Sequence, residues 1–397
     1  MTASIETLGW PLAFALAQEQ IPPQAHAPVA ADGVQTVRVL GRALTGMQKH
    51  ALVAVGGRYA WSFLCDEGPY LNGTDLAPFP LAFFAAGGAL LLAAALAARL
   101  KTAGLPADTI RALEIDTFYR MEGSAIRGTM TAHARTPVMR LRGPAGLDAD
   151  KLHGFLLEAL LASPVGALWR EAHHSRFSVR LNGESLFGEA AEMRMSDVPA
   201  DPAALLADLR PQTRVEHAVP LIVKSRAAEK LFGVEGGAGS SLAAEQTRGL
   251  HVRAILKPRA DGLARVRTQL FKPIGSIFTF QGRFTEEASE ETAPDGLTYL
   301  AAGIAFCFLT QLGRYAHIVK LPLAHSALTQ DMAFRLADPQ TGYPAASGPI
   351  VTDVVLAGDL DGAAARRLVR MGAQTCFLHA ASATPLKPRI ALVSPSD

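Results

Sequence analysis

The sequence predicts an α+β protein made of two similar halves, and three observations support this. The 397 residues are 49% hydrophobic and only 19% charged, which is enough apolar material for the cores of two or three domains. Stretches rich in β-branched and aromatic residues precede a long uncharged run, as expected for strands followed by a buried helix. The same succession returns after 213 to 216 residues. The composition excludes disorder over most of the chain.

The repeat is carried by three short matches in the same order. They are Val37-Arg38 with Val252-Arg253, Ala77-Pro78 through Gly87 with Ala293-Pro294 through Gly303, and Gly146-Leu147-Asp148 with Asp359-Leu360-Asp361. A nearly constant offset indicates duplication better than any single match. We therefore expect a leader at 1–33, a first half at 34–183, a connector at 184–247 and a second half at 248–397.

The leader has an apolar stretch from Trp10 to Ala17 but no Lys or Arg before Arg38. Because a secretory signal begins with a positive region, we expect a loosely ordered segment and a cytoplasmic location. The connector is rich in Pro, Asp, Gly and Ser, and its GVEGGAGSS stretch lacks the Lys-Ser/Thr of a phosphate loop. It is typical of a flexible linker with one or two short helices.

Each half is predicted to follow the same order of strands, apolar helix, two strands, amphipathic helix and final strand. The predicted strands of the first half are 34–44, 49–64, 112–121, 124–134 and 176–182; those of the second are 250–256, 263–271, 276–284, 324–335, 350–356 and 389–393. The helices of the two halves are predicted at 81–98 and 297–312, each buried between a sheet and the other half.

The run Leu76 to Ala98 contains no charge and meets the length criterion for a membrane span. Pro78 and Pro80 suit a loop and a first helical turn, so the uninterrupted helix from Leu81 has about 18 residues and is borderline for spanning. We favour a helix buried inside the protein and no membrane partner, with a membrane span as the alternative.

Charge and cysteine usage narrow the function classes. A net charge of +2 provides no electrostatic footprint for nucleic acid. Cys65, Cys307 and Cys376 are too few for a disulfide scaffold and are not spaced as zinc ligands. The sequence therefore predicts no metal and no nucleic-acid partner, and it favours a reducing compartment or a reactive thiol pair.

Particular segments resemble the OsmC/Ohr family of thiol peroxidases. PLAFFAAGGALLLAA and GLTYLAAGIAFCFLTQL are similar to the family's central helix, and TCFLHAASATPLKPRIALV is similar to its second-cysteine motif. The resemblance places Cys307 at the peroxidatic position and Cys376 at the resolving position. The first half has Leu91 and Ser163 there, so it lacks both thiols. Two fused copies would form a pseudo-dimer within one chain, and further homo-oligomerisation stays open.

The resemblance implies reduction of an organic hydroperoxide, as in an oxidative stress response. It implies an external dithiol as reductant and no organic cofactor. A peroxidatic cysteine reacts as the thiolate, and burial in an apolar helix opposes ionisation, so a cation is needed. PRADG places Arg259 near the position of the family's activating arginine. The family's Glu, about ten residues before the cysteine, is replaced by Leu297, and an acidic run, Glu286 to Glu291, is the nearest substitute.

Two alternatives remain at the level of sequence. Free cysteines are among the residues most often buried, so both thiols could be structural, as we expect for Cys65 in its strand. His379, three residues after Cys376, approaches that thiol if the helix continues, but we favour a surface position for it. The rival function is a redox-inactive scaffold that binds or transforms an apolar small molecule between the halves.

Overall fold

The computed structural model describes residues 3–56, 59–143, 148–188, 196–211, 220–228, 246–338 and 342–392. The strands in these ranges are β1 (Ala13–Leu16), β2 (Val34–Ala43), β3 (Lys49–Val55), β4 (Tyr59–Cys65), β5 (Ala112–Gly123), β6 (Thr131–Arg142), β7 (Arg176–Leu181), β8 (Glu184–Gly188), β9 (Ile222–Arg226), β10 (Gln246–Pro258), β11 (Leu263–Lys272), β12 (Ile277–Arg283), β13 (Leu323–Arg335), β14 (Ala346–Ser347), β15 (Val351–Gly358) and β16 (Arg389–Leu392). The helices are α1 (Ile5–Leu8), α2 (Pro80–Thr102), α3 (Ala149–Ala162), α4 (Pro164–Arg170), α5 (Pro202–Asp208), α6 (Gly296–Ile318), α7 (Gly362–Thr375) and α8 (Phe377–Ala383). The α+β class is thus confirmed.

The strands form two sheets, and each sheet takes strands from both halves. The first runs β1-β4-β3-β2-β13-β15-β7-β8, with β14 beside β13; the second runs β16-β6-β5-β10-β11-β12-β9. The halves meet where β2 pairs with β13 and where β10 pairs with β5, both antiparallel. The segments 34–183 and 248–397 are therefore interleaved and do not fold as two spatially separate units.

The order of elements in the first half recurs in the second. The corresponding pairs are β2/β10, β3/β11, β4/β12, α2/α6, β5/β13, β6/β15, α3/α7, α4/α8 and β7/β16. Their sheet partners correspond too, since β7 runs parallel to β15 and β16 runs parallel to β6.

The central helices α2 and α6 lie between the sheets and pack against each other. α2 begins with Pro80 at its first turn and ends at Thr102, two residues before Gly104, whose positive φ suits a helix terminus. Asp295 caps α6 by accepting a hydrogen bond from the Thr298 amide. Beyond the predicted C-terminal ends, α2 extends by four residues and α6 by six. α2 contacts β10 and β11, whereas α6 contacts β2 and β3.

By length and composition alone, α2 and α6 are each able to cross a membrane. The pair α3 and α4 meets the same criteria if the two helices, bent by 79°, are taken as one span. In this fold the most apolar windows of α2 and α6 are 78% and 94% buried. The apolar surface of these two helices is covered by protein, which is the arrangement favoured from the sequence.

The leader is more ordered than the sequence indicated. Strand β1 pairs with β4, and Phe14 and Leu16 are buried on the outer face of the first sheet. Leu206 of α5 packs in the same apolar cluster. The alternating apolar residues explain the difference, because they cover a sheet face that the central helices leave open. The described part of the connector contains one short helix, α5, and strands β8 and β9. GVEGGAGSS lies outside the described residues.

Candidate active site

Cys307 and Cys376 lie side by side in the core. Cys307 is in the middle of α6, and Cys376 stands where α7 ends and α8 begins. Their exposed fractions are 2% and 0%. The two side chains interact closely enough for each to shift the pKa of the other, and both thiols are free. The structure thus brings together the two cysteines that the sequence singled out.

His379 is buried, contrary to the surface position favoured from the sequence, and is a close neighbour of Cys376. Because α8 continues past Cys376, the Nδ1 atom of His379 comes within 3.2 Å of the Cys376 Sγ atom. The imidazole is buried and lies 5.5 Å from the Phe177 ring and 5.4 Å from the Phe308 ring, between centroids. Its Nε2 atom has no hydrogen-bond partner within the described ranges. This imidazole is placed to bind and orient the Cys376 sulfur.

The two thiols differ in their tendency to ionise. Burial raises the pKa of Cys307, and the adjacent Cys376 sulfur raises it further. Burial also acts to raise the pKa of Cys376, but the adjacent Cys307 thiol and the interaction with His379 outweigh it and hold that pKa well below its usual value. The two sulfurs titrate as a coupled pair, so loss of one proton leaves a single negative charge on the pair.

Glu67, Arg248 and Arg314 line the same small cavity as Cys307 and are called the carboxylate–guanidinium cluster below. Glu67 follows β4, Arg248 lies on β10, and Arg314 is on α6, seven residues after Cys307. All three residues are at most 5% exposed. The cluster combines residues from both halves, because the interleaved strands bring the loop after β4 to α6.

Hydrogen bonds hold the Glu67 carboxylate in place, whereas the Arg248 guanidinium keeps two nitrogens without a partner in the described part of the chain. Glu67 accepts from the Tyr70 hydroxyl at 2.9 Å and from the Thr310 hydroxyl at 3.2 Å. Arg314 Nη1 donates to Gln311 Oε1 at 3.3 Å. Arg248 has two buried nitrogens, Nε and Nη2, without a hydrogen-bond partner in the described part of the chain. A buried cationic donor of this kind is suited to an incoming oxygen.

Burial shifts the pKa values of all three charged groups toward neutrality. It raises the pKa of Glu67, against the pull of Lys49, and it lowers that of Arg248. For Arg314 burial, together with repulsion from Arg248, lowers the pKa to about 9. With a pKa of about 9, Arg314 is charged at neutral pH, and the negative charge of a Cys307 thiolate acts to raise that pKa, whereas Glu67 acts to raise the pKa of Cys307.

A small cavity of about 20 Å³ adjoins Cys307. Its polar lining comprises Glu67, Tyr70, Arg248, Thr310, Gln311 and Arg314; its apolar lining comprises Leu71, Phe79, Pro80, Leu81, Leu250, Leu270 and Phe377. Cys376 is not part of the lining. Space of this size holds roughly one water-sized group, and Cys307 is the sulfur that would meet it.

Arg259 does not lie beside Cys307, contrary to the hypothesis that it activates that thiol. It stands in the turn between β10 and β11 with its side chain 37% exposed, and its Nη2 atom is 2.7 Å from Asp261 Oδ2. The hairpin turn carries it away from the core. The acidic run is also elsewhere: Glu290 is 4.0 Å from Arg283, and Glu286 and Glu287 line a different cavity.

Of the cluster members Arg314 and Glu67, only Arg314 has a signal in the sequence. Arg314 is two helical turns after Cys307 on the same face of α6, a spacing that is visible in the sequence. Glu67 belongs to the other half, and its approach to α6 depends on interleaving. Cys65 lies in β4 and is fully buried, as expected for a strand residue. Within the described ranges, no group of three or more His, Cys, Asp or Glu side chains could hold a metal ion.

No family model and no curated protein matches the chain. Among solved structures it is similar to an OsmC-like hydroperoxide resistance protein from Jannaschia sp. CCS1. That similarity has 18% sequence identity, covers 31% of this chain and 79% of the other chain, and has a TM-score of 0.21. The functional proposal therefore rests on the geometry of the site.

Proposed function

We propose that the protein is a thiol peroxidase that reduces organic hydroperoxides through Cys307 and Cys376. The observation that carries the proposal is the buried, interacting thiol pair with cationic side chains beside Cys307. Cys307, as the thiolate, attacks the terminal peroxide oxygen, the O–O bond breaks, and the alkoxide takes the one proton left on the thiol pair and leaves as an alcohol. The product is a Cys307 sulfenic acid.

Cys376 then completes the reaction. Its thiolate attacks the Cys307 sulfur, the S–O bond breaks, and hydroxide leaves as water after taking up a proton. The two cysteines are oxidised to a disulfide while the peroxide is reduced to alcohol and water. An external dithiol restores both thiols by exchange. His379, at 3.2 Å from the Cys376 sulfur, orients that sulfur and stabilises its thiolate.

The side chains around Cys307 have separate roles in this scheme. Arg248, with two unpartnered nitrogens, donates hydrogen bonds to the peroxide oxygens and to the departing alkoxide. Glu67 places negative charge near Arg314 and is itself held by Tyr70 and Thr310. The 20 Å³ cavity admits the peroxide group alone, so the organic tail displaces apolar lining residues such as Leu71 or Leu81.

We also propose that the chain is a tandem duplication related to the OsmC/Ohr family and arranged as a pseudo-dimer. The corresponding elements and their matching sheet partners support the duplication. The first copy has Leu91 and Ser163 at the positions of the two thiols. One chain would then contain one thiol site in place of two.

The test is sulfenic acid formation in the Cys376→Ser variant, in which the intermediate cannot be resolved. Treatment with cumene hydroperoxide in the presence of dimedone should label Cys307, as read by peptide mass spectrometry. The Cys307→Ser variant should form no adduct at Cys376 and should lose peroxide consumption. The Cys65→Ser variant is the matched control and should keep full activity. Labelling of Cys376 in Cys307→Ser, with consumption retained, would contradict the assignment.

A further inference from the structure

A second cavity, of about 620 Å³, lies at the position in the first half that corresponds to the thiol site. Its lining includes Leu91, Ala94 and Ala98 of α2. These residues precede Cys307, Thr310 and Arg314 by 216 positions each, the offset of the repeat. Gly296 and Leu297 at the start of α6 line it, as Pro80 and Leu81 at the start of α2 line the thiol cavity.

The residue differences explain why this cavity is large. Ala94 and Ala98 occupy the positions that correspond to Thr310 and Arg314 of the thiol site. Two side chains that fill space in the thiol site are therefore replaced by methyl groups here. The walls are then formed by alkyl and aromatic groups, including Leu91, Leu105 and Phe284. A volume of 620 Å³ is within the usual range for small-molecule sites, which are mostly apolar with a few polar groups.

The charged groups of the lining have a small acidic excess. Glu286, Glu287 and Asp295 line the cavity together with Lys101 and Arg283, so the carboxylates exceed the cations by one. Asp295 and Arg283 are engaged with each other at 3.4 Å, and Asp295 also caps α6. A carboxylate or phosphate ligand would meet this acidic excess. The described lining contains no Cys, His, Ser or Tyr, so it offers apolar contact without a thiol or imidazole for catalysis.

We propose that this cavity is a binding site for an uncharged, apolar small molecule. The second site has Leu91, Ala94 and Ala98 in place of Cys307, Thr310 and Arg314 and has gained volume, so one half of the protein holds the thiol pair and the other holds a ligand. Binding requires no reaction at Cys307, and the site is therefore independent of the peroxidase proposal.

The test is equilibrium binding of Nile red, a neutral apolar dye, to the full chain, followed by fluorescence. We expect saturable binding of one dye per chain. Ala98→Phe, which fills the cavity from an exposed helix position, should weaken binding by about tenfold or more, whereas Ala363→Phe on exposed α7 should not. The anionic dye anilinonaphthalene sulfonate should bind more weakly than Nile red.

A second measurement keeps the test decisive if Ala98→Phe does not fold. A thiol introduced by Leu91→Cys should react with a neutral maleimide, because it lines the open cavity, and saturating Nile red should protect it. Absence of saturable binding, equal affinity of the Ala98→Phe and Ala363→Phe variants, stronger binding of the anionic dye, or an unprotected thiol at position 91 would each overturn the proposal.

Discussion

Cys307 and Cys376 differ in the charge that surrounds each sulfur. Cys376 has His379 at 3.2 Å, and Cys307 has the carboxylate–guanidinium cluster. The interaction between the thiols makes them titrate as a pair. A thiol buried this deeply would be inert without such neighbours, because desolvation disfavours the thiolate. The proposed reactivity therefore depends on the neighbouring residues more than on the cysteines themselves.

Removal of the Arg314 charge should slow the peroxide step. In Arg314→Met the apolar stem is retained while Cys307 loses a buried cation, so thiolate-like character in the transition state is less stabilised. We expect the second-order rate constant for Cys307 oxidation to fall by about tenfold, the equivalent of one pKa unit. Stopped-flow measurement with cumene hydroperoxide checks this, with Arg259→Met as the matched control on the exposed hairpin. Equal rates in the two variants would remove Arg314 from the mechanism.

His50 provides a pH-dependent contribution to stability that is separate from the site. It is fully buried on β3, its Nε2 atom is 2.9 Å from the Ser62 hydroxyl, and burial together with Arg42 lowers its pKa to about 3. The folded state thus holds this imidazole neutral, whereas the unfolded chain protonates it below about pH 6.5. Its stabilising contribution is complete above pH 6.5 and is lost as the pH falls toward 3.

Replacement of His50 by Gln should therefore flatten the pH dependence of unfolding. From pH 6.5 to 3, the wild-type free energy of unfolding should fall by about 5 kcal/mol more than that of His50→Gln. Urea denaturation at a series of pH values measures both curves. Parallel curves for the two proteins would show that His50 is not held neutral in the fold.

The contact between α2 and α6 depends on glycine. A Cβ atom at Gly303 would lie 2.6 Å from the Phe84 backbone nitrogen, and one at Gly87 would lie 2.3 Å from the Leu300 nitrogen. Such distances bring the two helix backbones together without intervening side chains. The sequence showed both glycines in the repeated motif, but their role became visible only when the two copies of the helix were found to face each other.

Gly303→Ala should separate these helices and destabilise the protein. The added methyl group meets backbone that cannot rotate away, so we expect a loss of about 1–3 kcal/mol in the free energy of unfolding. Gly313→Ala in the same helix is the matched control, because its Cβ atom meets nothing within 4 Å. It should stabilise by about 0.5–1 kcal/mol through helix propensity. Chemical denaturation distinguishes the two, and similar effects would exclude a close helix contact at Gly303.

Strand positions show where local sequence is informative and where it is not. The predictions for β2, β11 and β13 agree with the structure within two residues. The strand predicted at 124–134 lies instead at Thr131–Arg142. The reason is local, since Gly123 and Gly128 adopt positive φ and form a turn across the start of the predicted strand. Alternating hydrophobicity marks a strand, but turn chemistry decides where it begins.

At the scale of the whole molecule, interleaving determines which residues meet. The α+β class and the buried central helices could be predicted from local patterns, and the recurring order of elements from three short sequence matches. The choice of Cys307 and Cys376 as a pair came from the family resemblance, and the structure places the two cysteines beside each other. The carboxylate–guanidinium cluster could not be predicted in this way. Glu67 comes from the first half and is near Cys307 only because the two halves share sheets, in which β2 pairs with β13 and β10 pairs with β5. Arg259 was wrongly favoured for the same reason: motif spacing within one half does not indicate what the other half contributes.

Corresponding elements of the two halves border different cavities. One helix carries Cys307 beside a 20 Å³ cavity, and the other carries Leu91 beside a 620 Å³ cavity. The shared core of α2 and α6 supports both. The proposed division of reactive and binding chemistry between the halves therefore follows from different side chains on corresponding elements.

The most direct test of the peroxidase proposal is the state of the thiols after reaction with one equivalent of cumene hydroperoxide. Non-reducing peptide mapping by mass spectrometry of the full chain makes this measurement. The predicted result is a Cys307–Cys376 disulfide formed in near-stoichiometric yield, with Cys65 still free and the thiols restored by a dithiol. Two unmodified thiols at Cys307 and Cys376, with the peroxide unconsumed, would contradict the proposal.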